Sequence, residues 1–172
     1  MTVFHDHFSG KAQGYAAYRP IYPEALFGWL ADQCREHECA WDCATGNGQA
    51  ALSLARHFDV VHATDASEQQ IANAIPHDRV RYASANAVSV PFADNSIDLT
   101  TAAQAVHWFD SDAFYTEVRR VSKPGAVLAV WCYGLGQVCH EVDRLIGHYY
   151  EDIVGPFWPP ERGYIEEGYR TI

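Results

Sequence analysis

Two carboxylates and a pair of glycines are the first residues whose spacing could do chemistry. Asp42-Cys43-Ala44-Thr45-Gly46-Asn47-Gly48-Gln49 places Gly46 and Gly48 in a tight turn, where the missing Cβ lets the backbone approach a ligand. The segment QAALSLARH (49–57) then reads as a helix, with its first N–H groups aimed at that turn. A plain strand–helix connection could also use two glycines. The second carboxylate narrows the choice: Asp65 stands nineteen positions beyond Gly46. There it can accept both hydrogen bonds of a ribose diol. Strand, glycine turn, helix, strand and acid in that interval point to nucleoside binding.

Gly46-x-Gly48-x-x-Ala51 also fits the dinucleotide fingerprint, which leaves a nicotinamide-dependent oxidoreductase as an alternative. Against it, the glycines begin several residues after the strand and follow Asp42. A carboxylate there repels a pyrophosphate and suits an ammonium group.

The elements around these residues alternate. Pro23 opens a helix expected from Glu24 to about His37. Strands are expected at Cys39–Asp42, Asp59–Thr64, Val80–Ala83, Ser96–Ala102 and Ala126–Cys132. Between them lie the 49–57 helix, a helix over Glu68–Ala74 with Ser67 as its N-cap, and a helix over Asp112–Val121. Val90–Asn95 reads as a loop and Lys123-Pro124-Gly125 as a sharp turn. A last helix is expected over about Gln137–Asp152, before an aromatic, proline-rich tail. Strands separated by helices imply an α/β fold, an open, mostly parallel sheet with helices on both faces. Ligands in such sheets sit outside the carboxyl ends of the strands, here after Asp42, Asp65, Ala83 and Ala102.

The 172 residues, 48% hydrophobic and 13% aromatic, suit one domain with a real core and exclude a disordered chain. A net charge of −10 argues against a nucleic-acid groove. No stretch is long and apolar enough for a membrane span, and the first ten residues resemble neither a signal nor a transit peptide, so a soluble cytoplasmic protein is expected. The five cysteines form no C-x-x-C pair, and no metal site is expected among them.

Five segments in series carry a family resemblance: YAAYRPIYP (15–23), WDCATGNGQAA (41–51), ATDASEQQI (63–71), SANAVSVPFADNSIDLTTAAQAVHWFD (84–110) and VSKPGAVLAVW (121–131). The chain resembles a class I S-adenosylmethionine-dependent methyltransferase of the type 11 group, nearest to the small-molecule branch similar to trans-aconitate methyltransferases. The resemblance implies a Rossmann-like fold with an N-terminal lid (1–23), a cofactor-binding core (24–132) and a C-terminal helix and tail (133–172). It implies S-adenosylmethionine as cofactor and S-adenosylhomocysteine as product. By position it assigns Asp42, Ala44, Thr45, Gly46 and Gly48 to the methionine part of the cofactor, Gln49 to the cofactor site, and Asp65 to the ribose. Ala66 and Ser67 fall beside the adenine. Ser84, Ala85 and Asn86 match the stretch usually written D-A-E, and Gln104 lines the sulfonium and the methionine amine. Tyr18 and Arg19 belong to the lid, where an aromatic face can cover a cation. Among the aromatics at the floor of the acceptor pocket, His107 and Trp108 are the candidate catalytic residues.

Two departures from the family pattern shape further expectations. Ala44 replaces a glycine and is expected to keep a negative φ. Ser84 replaces an acid and offers a neutral acceptor, which leaves adenine to stacking and to the Ala85 N–H. No obvious base stands in these segments, which favours an acidic or carbon acceptor; a small, carboxylate-bearing metabolite is expected, with His107 in a positioning role. Family members continue into two further strands that cover the fifth. Here the fifth strand is expected at a sheet edge, open to association with another copy. A shortened cofactor-binding module without turnover is the alternative reading.

Overall fold

The computed structural model describes residues 22–172; Tyr18, Arg19 and the rest of the expected lid before Tyr22 lie outside them. Helix α1 (Glu24–Asp32) starts at Pro23, whose extended backbone accepts the Leu26 N–H at 2.9 Å. It buries Phe27, Leu30 and Ala31. The helix was expected to reach His37 but stops five residues earlier. The carbonyls of His37 and Glu38 instead accept from Asp59 and Val60, so this stretch already pairs with the next strand.

Five parallel strands form one sheet in the order β3-β2-β1-β4-β5: β1 (Cys39–Cys43), β2 (Val60–Asp65), β3 (Val80–Ser84), β4 (Ile97–Ala103) and β5 (Ser122–Trp131). Helices α2 (Gln49–Leu54), α3 (Glu68–Ala72) and α4 (Ser111–Val121) make the crossovers. Strand order reverses at β1, so the carboxyl ends of β1 and β4 open side by side, the position where such sheets bind ligands.

Alternation along β1 divides the core. Ala40 faces a layer with Phe27, Leu30, Leu54, Phe58, Val61 and Leu99. Trp41 and Cys43 face the opposite layer with Phe114, Val118 and Val121 from α4. Trp41 is fully buried and its indole N–H donates to Thr64 Oγ1 at 2.9 Å, which satisfies the one polar group a buried tryptophan brings.

Electrostatic clasps hold the remaining connections. At the amino ends of the strands, the buried Asp98 accepts from the N–H groups of Glu38 and Cys39 at 3.0 and 2.8 Å and pairs with Lys123 at 2.9 Å. The long loop before β4 is held by Arg120. Its guanidinium donates to the carbonyls of Val90 and Phe92 and pairs with Glu117 and Asp94.

Several expected boundaries move. α2 and α3 end at Leu54 and Ala72, three and two residues early, because i−3 bonds tighten the chain beyond them. Lys123-Pro124-Gly125 is not a separate turn. It is absorbed into β5 as an irregularity, since the register passes from Ile97↔Ser122 to Leu99↔Val127, with Gly125 at φ +85°. After β5 the expected single helix is divided into α5 (His140–His148) and a wider π-helical segment, Tyr149–Val154. A 3-10 turn (Gly155–Phe157) and α6 (Arg162–Glu166) follow. Among the described residues, no helix is long and apolar enough to cross a membrane.

Candidate active site

The turn after β1 alternates left-handed residues: Ala44 at φ +54°, Gly46 at +59° and Gly48 at +94°. The expectation of a negative φ at Ala44 is therefore corrected. Two anchors impose the reversal. Thr45 N–H donates to Thr64 O at 2.9 Å, extending the β1–β2 ladder, while Thr45 Oγ1 donates to Asp42 Oδ2 at 2.5 Å. Satisfying both bends the intervening residue into a conformation that glycine adopts at less cost.

Asp42 lies beneath this turn, 1% exposed. Its second oxygen accepts from Thr101 on β4 at 2.7 Å, so the carboxylate ties β1, the turn and β4 together. Burial pushes its pKa up to about 6, against the lowering effect of the Thr45, Thr101 and Ala51 hydrogen bonds. Thr101 was not singled out in the sequence; Thr100 stands beside it in β4, and nothing local marks which of the two meets Asp42.

At the end of β2, the Asp65 carboxylate accepts from Gly46 N–H at 2.8 Å and from Ser67 N–H at 2.9 Å. It thus joins the glycine turn to the start of α3, where Ser67 acts as N-cap as expected, accepting from Gln70 N–H. Ala66 is half-buried, as is Gln49 at the first turn of α2.

Ser84 stands beside Asp65 in the β2–β3 register. The Ala85 N–H expected to serve adenine donates to Asp65 O at 3.0 Å. This is a correction: the amide is spent on extending the strand pair. Asn86 closes a small turn, its Oδ1 accepting from Val88 N–H at 3.2 Å.

The carboxyl end of β4 carries the other half of the site. Gln104 has φ +58° and donates its backbone N–H to Trp131 O at 2.9 Å. Its side-chain Nε2 is buried without a hydrogen-bond partner among the described residues. A buried N–H left unpaired costs about 1–3 kcal/mol, which a polar group of a bound ligand would recover. His107 and Trp108 follow on a 3-10 turn (Val106–Trp108), with their rings 4.7 Å apart. His107 is buried, while Trp108 remains 38% exposed. Burial, aided by Arg162, lowers the His107 pKa to about 4, so the imidazole is neutral at neutral pH.

Tyr82 on β3 is a further residue the sequence reading missed. A Cβ at Gly48 would stand 2.2 Å from its hydroxyl, so Gly48 is demanded both by its backbone angle and by this ring. The donor set fits S-adenosylmethionine: an anionic acceptor at the β2 end for a diol, a left-handed turn that bares backbone, and an unpaired buried amide at the β4 end.

Comparison with known proteins agrees with this geometry. The profile of the type 11 methyltransferase domain family matches residues 41–130. A Dictyostelium discoideum protein named as a methyltransferase is 36% identical over 99% of this chain and 66% of its own length. A solved structure from Anaeromyxobacter dehalogenans, named as a type II methyltransferase, is 48% identical and superposes with a TM-score of 0.82, covering 90% of this chain and 66% of that one. A Methanococcus maripaludis protein named as an S-adenosyl-L-methionine-dependent methyltransferase shares the fold, with a TM-score of 0.69 at 20% identity over 98% of this chain and 80% of that one. The chain spans about two thirds or less of its first curated relatives, 66% of the Dictyostelium protein and 59% of one from Schizosaccharomyces pombe. The match takes in the turn after β1 and the acid after β2, and it sets the nicotinamide alternative aside: this chain belongs to the S-adenosylmethionine-dependent methyltransferase family, type 11.

Proposed function

We propose that the protein binds S-adenosylmethionine across the carboxyl ends of β1, β2 and β3 and transfers its methyl group to a small, carboxylate-bearing metabolite at the β4 end. The observation that supports this best is Asp65, whose carboxylate is held by the amides of Gly46 and Ser67. The acid is thereby aimed where a ribose diol would lie.

When bound, S-adenosylmethionine supplies a methyl on a sulfonium that departs as a neutral thioether. The protein's task is then to align the two reactants and exclude water. Asp65 accepts from the ribose. Gln104 offers its unpaired amide to the methionine part. Asp42 acts from below, through Thr45 and Thr101, to keep the turn in shape. Trp108 presents an aromatic face next to His107, a surface that excludes water and attracts a cation. A carboxylate acceptor is ionised at neutral pH and needs no base, in keeping with a His107 that does not carry charge there.

The test is calorimetry with S-adenosylhomocysteine, followed by methyl-donor consumption over a panel of small organic acids. Wild type should bind, and Asp65→Ala should lose affinity by about a hundredfold, the loss of charge-assisted bonds worth roughly 3 kcal/mol. Equal affinity in the two proteins would sink the proposal. Binding without consumption of the donor would assign a cofactor-binding module instead. Five free cysteines suit a reducing, cytoplasmic setting. β5 lies at the sheet edge with Leu128 exposed, a surface suited to pairing of two copies; a concentration-independent monomer in sedimentation would exclude that pairing.

A further inference from the structure

The C-terminal segment places a tyrosine on the candidate catalytic histidine. α6 packs beside the turn that carries His107, with Ile165 buried. Gly168 and Tyr169 then both take left-handed angles, φ +63° and +60°. A left-handed conformation is unfavourable for a tyrosine, and such strain persists only where surrounding contacts impose it. Here Tyr169 N–H donates to Tyr164 O at 2.8 Å, and the ring is laid 5.9 Å from the imidazole, centroid to centroid. The Tyr169 hydroxyl stands 2.8 Å from His107 Nδ1.

The hydroxyl has one proton to give and two lone pairs. The hydroxyl also lies beside the backbone N–H of His107 and the sulfur of Cys132, just after β5. Burial raises the Cys132 pKa, so the thiol keeps its hydrogen. An imidazole nitrogen accepts far better than a thiol sulfur, so at 2.8 Å the phenolic proton goes to Nδ1. The proton of a neutral imidazole must then sit on Nε2. The charged groups that bear on His107 are Arg162 and Glu161, of opposite sign and acting in opposite senses.

We propose that Tyr169 is a positioning residue that holds His107 as the Nε2–H tautomer, so that His107 offers the methyl acceptor a hydrogen-bond donor and no lone pair. The consequence for chemistry is selective. An acceptor that must lose a proton to react, such as an amine or a phenol, finds no base in His107. An acceptor that arrives with an anionic oxygen finds a neutral N–H able to orient one oxygen without shielding the other. This rests on the methyl-transfer reading above and narrows its substrate to oxygen acceptors already ionised.

Long-range proton–nitrogen NMR on the uniformly 15N-labelled chain reads the tautomer directly. The wild-type His107 ring should show an unprotonated Nδ1 and a protonated Nε2. That pattern should persist from about pH 8 to about pH 5.5, below the ordinary histidine midpoint. Tyr169→Phe keeps the ring packing and removes the donor, and should turn the fixed pattern into a tautomer mixture. Protonation at Nδ1 in wild type would overturn the proposal, and so would a Tyr169→Phe spectrum identical to wild type. S-adenosylhomocysteine calorimetry on the same wild-type sample separates the two claims. A failure to bind would strike the methyl-transfer reading while leaving the tautomer measurement valid.

Discussion

Ala44 turns left-handed between two anchors, Asp42 below it and the Thr45–Thr64 backbone bond beyond it. The strain is local and removable. Ala44→Gly should raise the unfolding free energy by about 0.5–1 kcal/mol, the relief of a left-handed alanine less the extra freedom of an unfolded glycine; urea titration reads it, and a loss of stability would contradict the account. At this scale the sequence was most informative where geometry is intolerant. Gly46, Gly48 and Asp65 were read from spacing alone, and Gly48 proves required by its angle and by Tyr82. The residues that escaped, Thr101, Tyr82, Cys132 and Tyr169, act through partners on distant strands or loops. Nothing in their neighbours along the chain marks them.

Among elements, the strongest device sits at the far end of the sheet from the site. Asp98 at the start of β4 accepts two amides from the segment entering β1 and holds Lys123 of β5. Because its side chain is buried, removing it leaves the two amides without their acceptor, while Lys123 keeps Glu36 and Glu38. Asp98→Ala should therefore cost about 3 kcal/mol or more, read as a lowered denaturant midpoint. All five strands were expected from alternation with helices, and each was found within a few residues. The helix ends were less accurate, since His37, Glu38 and the residues after Leu54 are governed by bonds to neighbouring segments. The Lys123-Pro124-Gly125 run looked like a turn because its composition is that of one. The β4–β5 register instead accommodates it within the strand.

For the whole molecule, the buried acid couples folding to pH. Asp42 has a folded pKa of about 6 against an ordinary 3.8. A raised pKa means the native state holds a proton the unfolded chain has already released. Its contribution to stability is thus complete below about pH 4 and is lost as pH rises through about 6. Relative to Asp42→Asn, wild type should lose on the order of 2–3 kcal/mol between pH 4 and pH 7. Urea titrations of both proteins at the two pH values check this, and a constant difference would refute it.

From the sequence alone came the α/β alternation, the glycine turn, the acid that follows the second strand and the resemblance to methyltransferases. These features are written in local spacing, since backbone angles and strand periodicity are set by neighbours in the chain. Only the tertiary structure decided that Asp42 braces the turn from beneath, that the Ala85 amide belongs to the strand pair, and that Tyr169 rests on His107. Those outcomes depend on which donors reach which acceptors across the sheet, sixty-two positions apart for His107 and Tyr169. Burial then makes each such bond costly to leave unmade.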